Sequence, residues 1–304
     1  MPRPDIIVVG ASAGGVEALQ TIAAGLPPDL PAAVCVVLHI GEGINGHSVL
    51  PEILANSGRL PAHHVVDGEE IRHGHLYVAA PNRHLIIEPG RLRSVDGPKE
   101  NMTRPAINPL FRSAAAAYGP RVIGVILTGL LDDGVAGLAE IKRKGGLAVV
   151  QNPATALYPE MPQNALRHVG TDYVLDLADI PVMLARLTKI DRTAKEVVQP
   201  MTRNLIYLTC PECRGPLWQE KQGTVVEYRC RVGHVFSPLV LAKEQNTTVE
   251  RSIWAAVVAL EEAADILESL PEERCARDAA FHREQIIALK ESLKKLNASQ
   301  SPPE

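Results

Sequence analysis

Runs of β-branched and aliphatic residues alternate with segments whose apolar positions recur every three or four residues. Residues 5–11 (DIIVVGA) are apolar nearly throughout, as in a strand buried on both faces of a parallel sheet. Val16, Leu19, Ile22 and Ala23 then follow helical spacing, and Pro27-Pro28 stops that helix. Residues 32–40 (AAVCVVLHI) predict a second buried strand, followed by a helix over 47–56 and a short extended run at 63–66. HLYVAAP and HLIIEPGRLRSV, within residues 75–95, read as extended segments turning at Pro89-Gly90, an antiparallel hairpin. After a polar loop at 96–104, a helix is expected over 106–118, a strand over 122–127 (VIGVIL) and a helix from Gly134 to Lys144. A strand at 148–151, a helix near 162–169, a strand at 173–176 and a helix at 179–189 complete the series. This alternation predicts an α/β domain over residues 1–190, a doubly wound, mostly parallel sheet carrying a β-hairpin. In such sheets the active site lies at the C-terminal ends of the strands.

Beyond it the pattern changes. Residues 191–207 are polar and read as a linker, and residues 208–237 form a compact unit containing three cysteines. Over 238–298 two amphipathic helices are expected as a helical hairpin. Ile253, Val257, Leu260, Ala264 and Leu267 share one face, and Ile286, Leu289, Leu293 and Leu296 share another, with Pro271 between the helices. Residues 299–304 read as a disordered tail.

Composition narrows the function classes. Lys and Arg total 31 against 35 Asp and Glu, a net charge of -4, which argues against a nucleic-acid binder. Hydrophobic residues at 46% and charged residues at 22% indicate a globular chain, and 4% aromatics require an aliphatic core. No stretch approaches the ~18 apolar residues of a membrane span. Ile6–Val9 ahead of Ala11-Ser12-Ala13 imitates a signal peptide, but the run is too short and Asp5 interrupts it. A cytoplasmic protein, not embedded in a membrane, is expected.

Three strand ends carry chemistry. Ser12, in Gly10-Ala11-Ser12-Ala13-Gly14-Gly15, sits on a tight turn before a helix, where a hydroxyl is exposed beside main-chain N–H groups. Two other readings fit that turn: a helix N-cap serine, or a dinucleotide-binding glycine turn. The second is weak because the spacing is not G-x-G-x-x-G and the next strand ends in His39 rather than an acid. His39 falls at the same sheet edge. The third site is Asp132-Asp133-Gly134 after VIGVIL, where Asp133 is placed to orient His39 and either aspartate fits a helix N-cap.

The motifs GASAGG, the strand ending in His39, APNRHL at 80–85, RPAINPLFRSAA at 104–115, LTGLLDDGVAG at 127–137 and QNPATALYPEMPQNA at 151–165 occur in one order. Over roughly residues 4–188 the chain resembles the catalytic domain of chemotaxis-type protein-glutamate methylesterases (CheB). The resemblance implies a serine hydrolase acting on γ-glutamyl methyl esters of chemoreceptors, some relatives also deamidating glutamine. It implies Ser12 as nucleophile, His39 as general base and Asp133, the aspartate directly before the glycine, as its partner. Main-chain N–H groups of Ala13 and Leu130 are the expected oxyanion donors. The chain departs from the family at Leu131, where a glycine is common, and at Asn108, where an aspartate is common. The family's phosphorylatable receiver domain is not expected, because the match begins at residue 4.

Cys210-x₂-Cys213, sixteen residues, then Cys230-x₃-His234 has zinc-ribbon spacing. Three thiolates and one imidazole close a tetrahedral shell, so the expected zinc is structural, and catalysis needs no cofactor. Such ribbons resemble appendages of some receiver-less members of the same family. Partners expected are the cytoplasmic region of methyl-accepting chemoreceptors or another methylated protein, with the hairpin suited to docking a partner, its own ribbon or a second copy. The rival class is a non-catalytic signalling adaptor that works through the ribbon and hairpin, motivated by Leu131 and Asn108.

Overall fold

The computed structural model describes residues 3–39, 48–189, 201–271 and 273–298. They fall into two units, one running to Leu241 and the other beginning at Ala242. The first unit opens with strands β1 (Ile6–Ala11), β2 (Ala33–Leu38), β3 (Ala62–His64), β4 (Leu76–Val78), β5 (His84–Glu88), β6 (Arg91–Val95), β7 (Val122–Ile126), β8 (Leu147–Gln151) and β9 (Tyr173–Leu175). Between them lie helices α1 (Gly15–Gly25), α2 (Leu50–Ser57), α3 (Ile107–Tyr118), α4 (Val135–Arg143), α5 (Glu160–His168) and α6 (Ile180–Leu187). Seven of these strands form one sheet in the order β3-β4-β2-β1-β7-β8-β9, every pair parallel.

The side-chain period of two divides the core. Ile6 and Val8 of β1 face α3, α4 and α5, packing with Phe111, Leu138, Ile141 and Met161. Ile7, Val9 and Ala11 face α1, α2 and α6, packing with Leu19, Ile22, Leu54 and Leu184. Both faces of β1, β2, β7 and β8 are therefore covered, which is why these strands are uninterrupted apolar runs. The chain runs outward from β1 in opposite directions, to β2 on one side and β7 on the other, so the crevice of a doubly wound sheet opens at the ends of these three strands.

Two expectations are corrected. HLYVAAP does not join the hairpin; Leu76–Val78 is buried and pairs in parallel with β2 and β3, leaving β5 and β6 to turn alone at Pro89-Gly90. Residues 201–207, read as linker, belong to β10 (Met201–Thr209), the first strand of an antiparallel sheet with β11 (Pro216–Gln222), β12 (Val225–Cys230) and β13 (Val235–Phe236). Asn204, Tyr207 and Leu208 are exposed, and the backbone ladder to β11, with a register shift between Ile206 and Thr209, holds the strand. The rest of the expected linker and the expected tail lie outside the described residues.

The second unit holds most of α7 (Pro238–Glu268) and all of α8 (Glu273–Ala298). Val257 and Ala264 of α7 and Ala279, Ile286 and Leu293 of α8 are buried at seven-residue intervals, the spacing of a helix seam. Arg283 pairs with Asp265 and Glu268, and Lys290 with Glu261, linking α7 and α8 within that unit. No helix among the described residues is long and apolar enough to cross a membrane.

Candidate active site

The register of β1 with β2 pairs Ala11 with Leu38, so Ser12 and His39 are the next residues out from neighbouring strand ends. The ladder continues one step further, with the His39 N–H donating to Ala11 O at 3.1 Å and the Ser12 N–H to Thr128 O at 3.0 Å. Ser12 is not a helix cap. The N-cap of α1 is Gly14, at φ 70°, and no side chain caps that helix. Gly129 comes so close that a Cβ there would lie 2.8 Å from Ser12 Cβ. Only glycine fits at that point, and it lets the loop after β7 close over the serine.

Asp133 is likewise free of capping duty, since the N-cap of α4 is Gly134 and no side chain caps that helix. Its Oδ2 lies 2.8 Å from His39 Nε2 and accepts the Ile107 N–H at 2.6 Å, while its Oδ1 accepts from Asn101 Nδ2 at 2.9 Å. The carboxylate is 3% exposed and the imidazole 15%. Burial alone would raise the Asp133 pKa, but His39 and the N–H donors of Ile107 and Asn101 together hold it below the usual carboxylate range. Its neighbour Asp132 behaves oppositely: burial, with Asp133 and Glu160 nearby, pushes it up to about 6 despite a bond from the Ser237 hydroxyl.

The structure thus brings Ser12, His39 and Asp133 to one sheet edge. With Asp133 on Nε2, the Nδ1 of His39 is the nitrogen left for a reacting hydroxyl. The N–H groups of Ala13 and Leu130 lie on the loops that follow β1 and β7 and have no hydrogen-bond partner among the described residues. The Thr128 hydroxyl knits those loops, donating to Ala13 O and accepting the Tyr158 N–H, and its own N–H donates to Gln151 Oε1. An alcohol at one strand end, an imidazole at the next and a carboxylate that orients it are the groups acyl transfer uses.

Both departures from the family pattern have physical explanations. Leu131 adopts φ 64°, the left-handed region a glycine would favour. Its side chain packs against the apolar cluster of the β10–β13 sheet, its N–H donates to Glu160 Oε2, and its carbonyl accepts from Asn164. Asn108 is buried and accepts the Gly137 N–H at 2.7 Å, a bond an amide oxygen makes as well as a carboxylate would, without another charge near Asp132 and Asp133.

Sequence reasoning missed several supporting groups. Asn101, Thr128, Gln151 and Ser237 hold the site although no spacing marks them; asparagine's tolerance of the left-handed region was the available signal for Asn101, which has φ 48°. His84 is fixed as a structural imidazole, donating from Nε2 to Pro98 O while Nδ1 accepts the Ala106 N–H, and its burial lowers its pKa. Arg83 bonds to Ser94 and Asp96, and Arg104 to Asn82 and Gly97.

In the β10–β13 sheet, two turns face each other. One carries Cys210 and Cys213, the other Cys230 and His234, with the Cys230 N–H donating to His234 O. The four side-chain ligand atoms lie within 4.8 Å of one another, the one such cluster of three or more His, Cys, Asp or Glu among the described residues. Cys213 Sγ and Cys230 Sγ are 3.6 Å apart, and His234 Nδ1 is 3.7 Å from Cys210 Sγ and 3.4 Å from Cys230 Sγ. A tetrahedral zinc with ~2.3 Å bonds to sulfur separates its ligands by ~3.7 Å, so the cluster fits a metal.

Comparison with known proteins gives one family. The family model for CheB methylesterase matches residues 7–184. A putative protein-glutamate methylesterase/protein-glutamine glutaminase of Leptospira interrogans is 41% identical over 184 residues, covering 60% of this chain and 94% of that protein. A protein-glutamate methylesterase/protein-glutamine glutaminase of Anaeromyxobacter dehalogenans is 40% identical over 187 residues, covering 62% of this chain but 54% of that protein. The crystal structure of the Thermotoga maritima CheB methylesterase catalytic domain aligns with a TM-score of 0.57 at 31% identity, over 62% of this chain and 99% of that one.

Proposed function

The chain belongs to the CheB methylesterase family, and from that premise we propose that it is a serine hydrolase of γ-glutamyl methyl esters on chemoreceptors or related signalling proteins. Ser12 is the nucleophile, His39 the general base, and Asp133 the carboxylate that orients the imidazole. His39 takes the Ser12 proton as Oγ attacks the ester carbonyl, and the oxyanion rests against the N–H groups of Ala13 and Leu130. The imidazolium returns the proton to the departing methoxide, releasing methanol. Water, deprotonated by His39, then frees the glutamate and restores the serine. A glutamine side chain follows the same course with ammonia as leaving group. General-base help is worth ~10²–10⁴ in rate, and one oxyanion donor ~10²–10³.

The observation that carries this reading is the His39–Asp133 bond of 2.8 Å one strand away from Ser12. The adaptor alternative drew on Leu131 and Asn108, and both now have roles compatible with an intact site. Zinc is proposed as a structural ion held by Cys210, Cys213, Cys230 and His234, which leave it no open position for substrate. The cytoplasm, where receptor methylation sites lie, is the proposed location. The test is methanol release from methylated receptor fragments: wild type releases it, and Ser12→Ala loses more than ~10⁴-fold in turnover. Undiminished release by Ser12→Ala refutes the assignment.

A further inference from the structure

Asp133 is held from two sides. The Ile107 N–H and His39 share its Oδ2, and Asn101 alone occupies Oδ1 among the described residues. Asn101 is buried in turn, and among the described residues every other bond it makes goes to the Val235–Ser237 segment. Its N–H donates to Val235 O at 2.8 Å, and its Oδ1 accepts the Ser237 N–H at 2.7 Å. These partners fix the amide orientation, because the oxygen faces a donor and the nitrogen faces a carboxylate. Val235 directly follows His234, the last residue of the metal cluster, and forms a parallel bridge to Glu100.

Three non-glycine residues at this junction occupy the left-handed region: Asn101 at φ 48°, Met102 at φ 64° and Leu131 at φ 64°. Met102 and Leu131 both pack against the cluster formed by Cys210, Leu217, Cys230 and Phe236. Unfavourable backbone persists only where its surroundings over-determine it. Here those surroundings are the ribbon, and the segment it shapes carries the amide that grips the triad carboxylate.

We propose that Asn101 is a positioning residue for the esterase reaction, held in register by the Val235–Ser237 segment of the ribbon. The ribbon is thereby a working part of the active site, a mould for the loop that fixes Asp133. This rests on the Ser12–His39–Asp133 reading. Without the Asn101 amide, Oδ1 is a buried acceptor with no donor, and the carboxylate turns away from His39 to find one. Asn101 has no role in holding substrate, so the loss falls on turnover.

Asn101→Asp separates positioning from mere support. It keeps an oxygen for the Ser237 N–H but sets a second acceptor against Asp133. The metal-loaded full chain is measured for zinc content, kcat and KM with a small ester substrate. The expected result is full zinc content, KM within about twofold of wild type, and kcat reduced on the order of 10–100-fold, the size of effect typical of groups that orient a reacting residue. Asn101→Ala is expected to lose kcat to the same extent, and it decides the matter if the aspartate variant does not fold. Wild-type kcat in whichever folded variant is measured, or a loss confined to KM, overturns the proposal. Ser12→Ala is run beside them. If wild type shows no turnover beyond Ser12→Ala, the esterase reading fails and takes this proposal with it; if that pair differs but Asn101 is indifferent, this proposal alone fails.

Discussion

The parallel sheet and the β10–β13 sheet, proposed as a zinc ribbon, sit in one folded unit but differ in how much core each has. The sheet buries both faces of its central strands beneath helices, and Ile7, Val8, Val9, Val36, Val125 and Val149 are almost wholly removed from water. The ribbon's own core is small: Leu217, Phe236, Val240 and Leu241 are buried with Cys210 and Cys230, so two proposed metal ligands are part of what packs there. Burial at ~25 cal/mol per Å² stabilises a large two-sided core readily, whereas a few dozen residues need a cross-link. The contrast predicts that the ribbon depends on its metal and the sheet does not. It also assigns the two regions different parts in the site, the sheet presenting Ser12 and His39 and the ribbon bracing the loop behind Asp133.

The largest expected effect comes from cutting the cross-link. Cys210→Ser with Cys213→Ser removes two of four ligands, and zinc is expected to fall from one per chain to none. Amide exchange protection is then lost across β10–β13 and kept in β1, β2, β7 and β8. Equal loss of protection in both regions, or no zinc in wild-type protein purified without chelator, breaks the comparison.

How much of each region could be read from the sequence follows from the same contrast. Strands such as AVCVVL and VIGVI announce themselves because both faces are buried, and Ser12, His39 and Asp133 stand at their ends. The ribbon is visible only through Cys210, Cys213, Cys230 and His234; β10 looks like linker because Asn204, Tyr207 and Leu208 face water. HLYVAAP could pair in a hairpin or in a parallel sheet, and only the tertiary position of β2 and β3 decides. The bonds joining Asn101 and Asp132 to Ser237 span more than a hundred residues of chain, beyond the reach of local pattern.

A smaller effect lies at the contact itself. Asp132 has its pKa pushed up to about 6 in the fold from an ordinary value of 3.8, so the native state binds the extra proton between those pH values. Stability should fall as pH rises through that window, and the full penalty should remain at neutral pH. Asp132→Asn keeps an oxygen for the Ser237 hydroxyl and removes the charge. At pH 7.5 it is expected to gain about 2 kcal/mol, or about 4–8 °C in melting temperature. The gain should vanish below about pH 4. A variant less stable than wild type at pH 7.5 contradicts the stated cause.

The smallest effect tests the ribbon's hold on Leu131. Leu131→Ala loses packing against the ribbon but keeps the left-handed backbone, costing about 1–2 kcal/mol. Leu131→Gly loses the same packing and relieves about 1 kcal/mol of strain. Denaturant midpoints should therefore rank Leu above Gly and Gly above Ala. Alanine more stable than glycine would mean that the backbone is not strained at this position.

The account turns on Ser12 as the reacting alcohol, and covalent trapping reads that directly. The full chain is treated with a fluorophosphonate ester, which phosphonylates an activated serine, and the adduct is located by peptide mass spectrometry. One adduct per chain on the peptide bearing Ser12, absent in Ser12→Ala, is the predicted result. An adduct on another serine that persists in Ser12→Ala, or none at all on protein that still hydrolyses the ester, would contradict it.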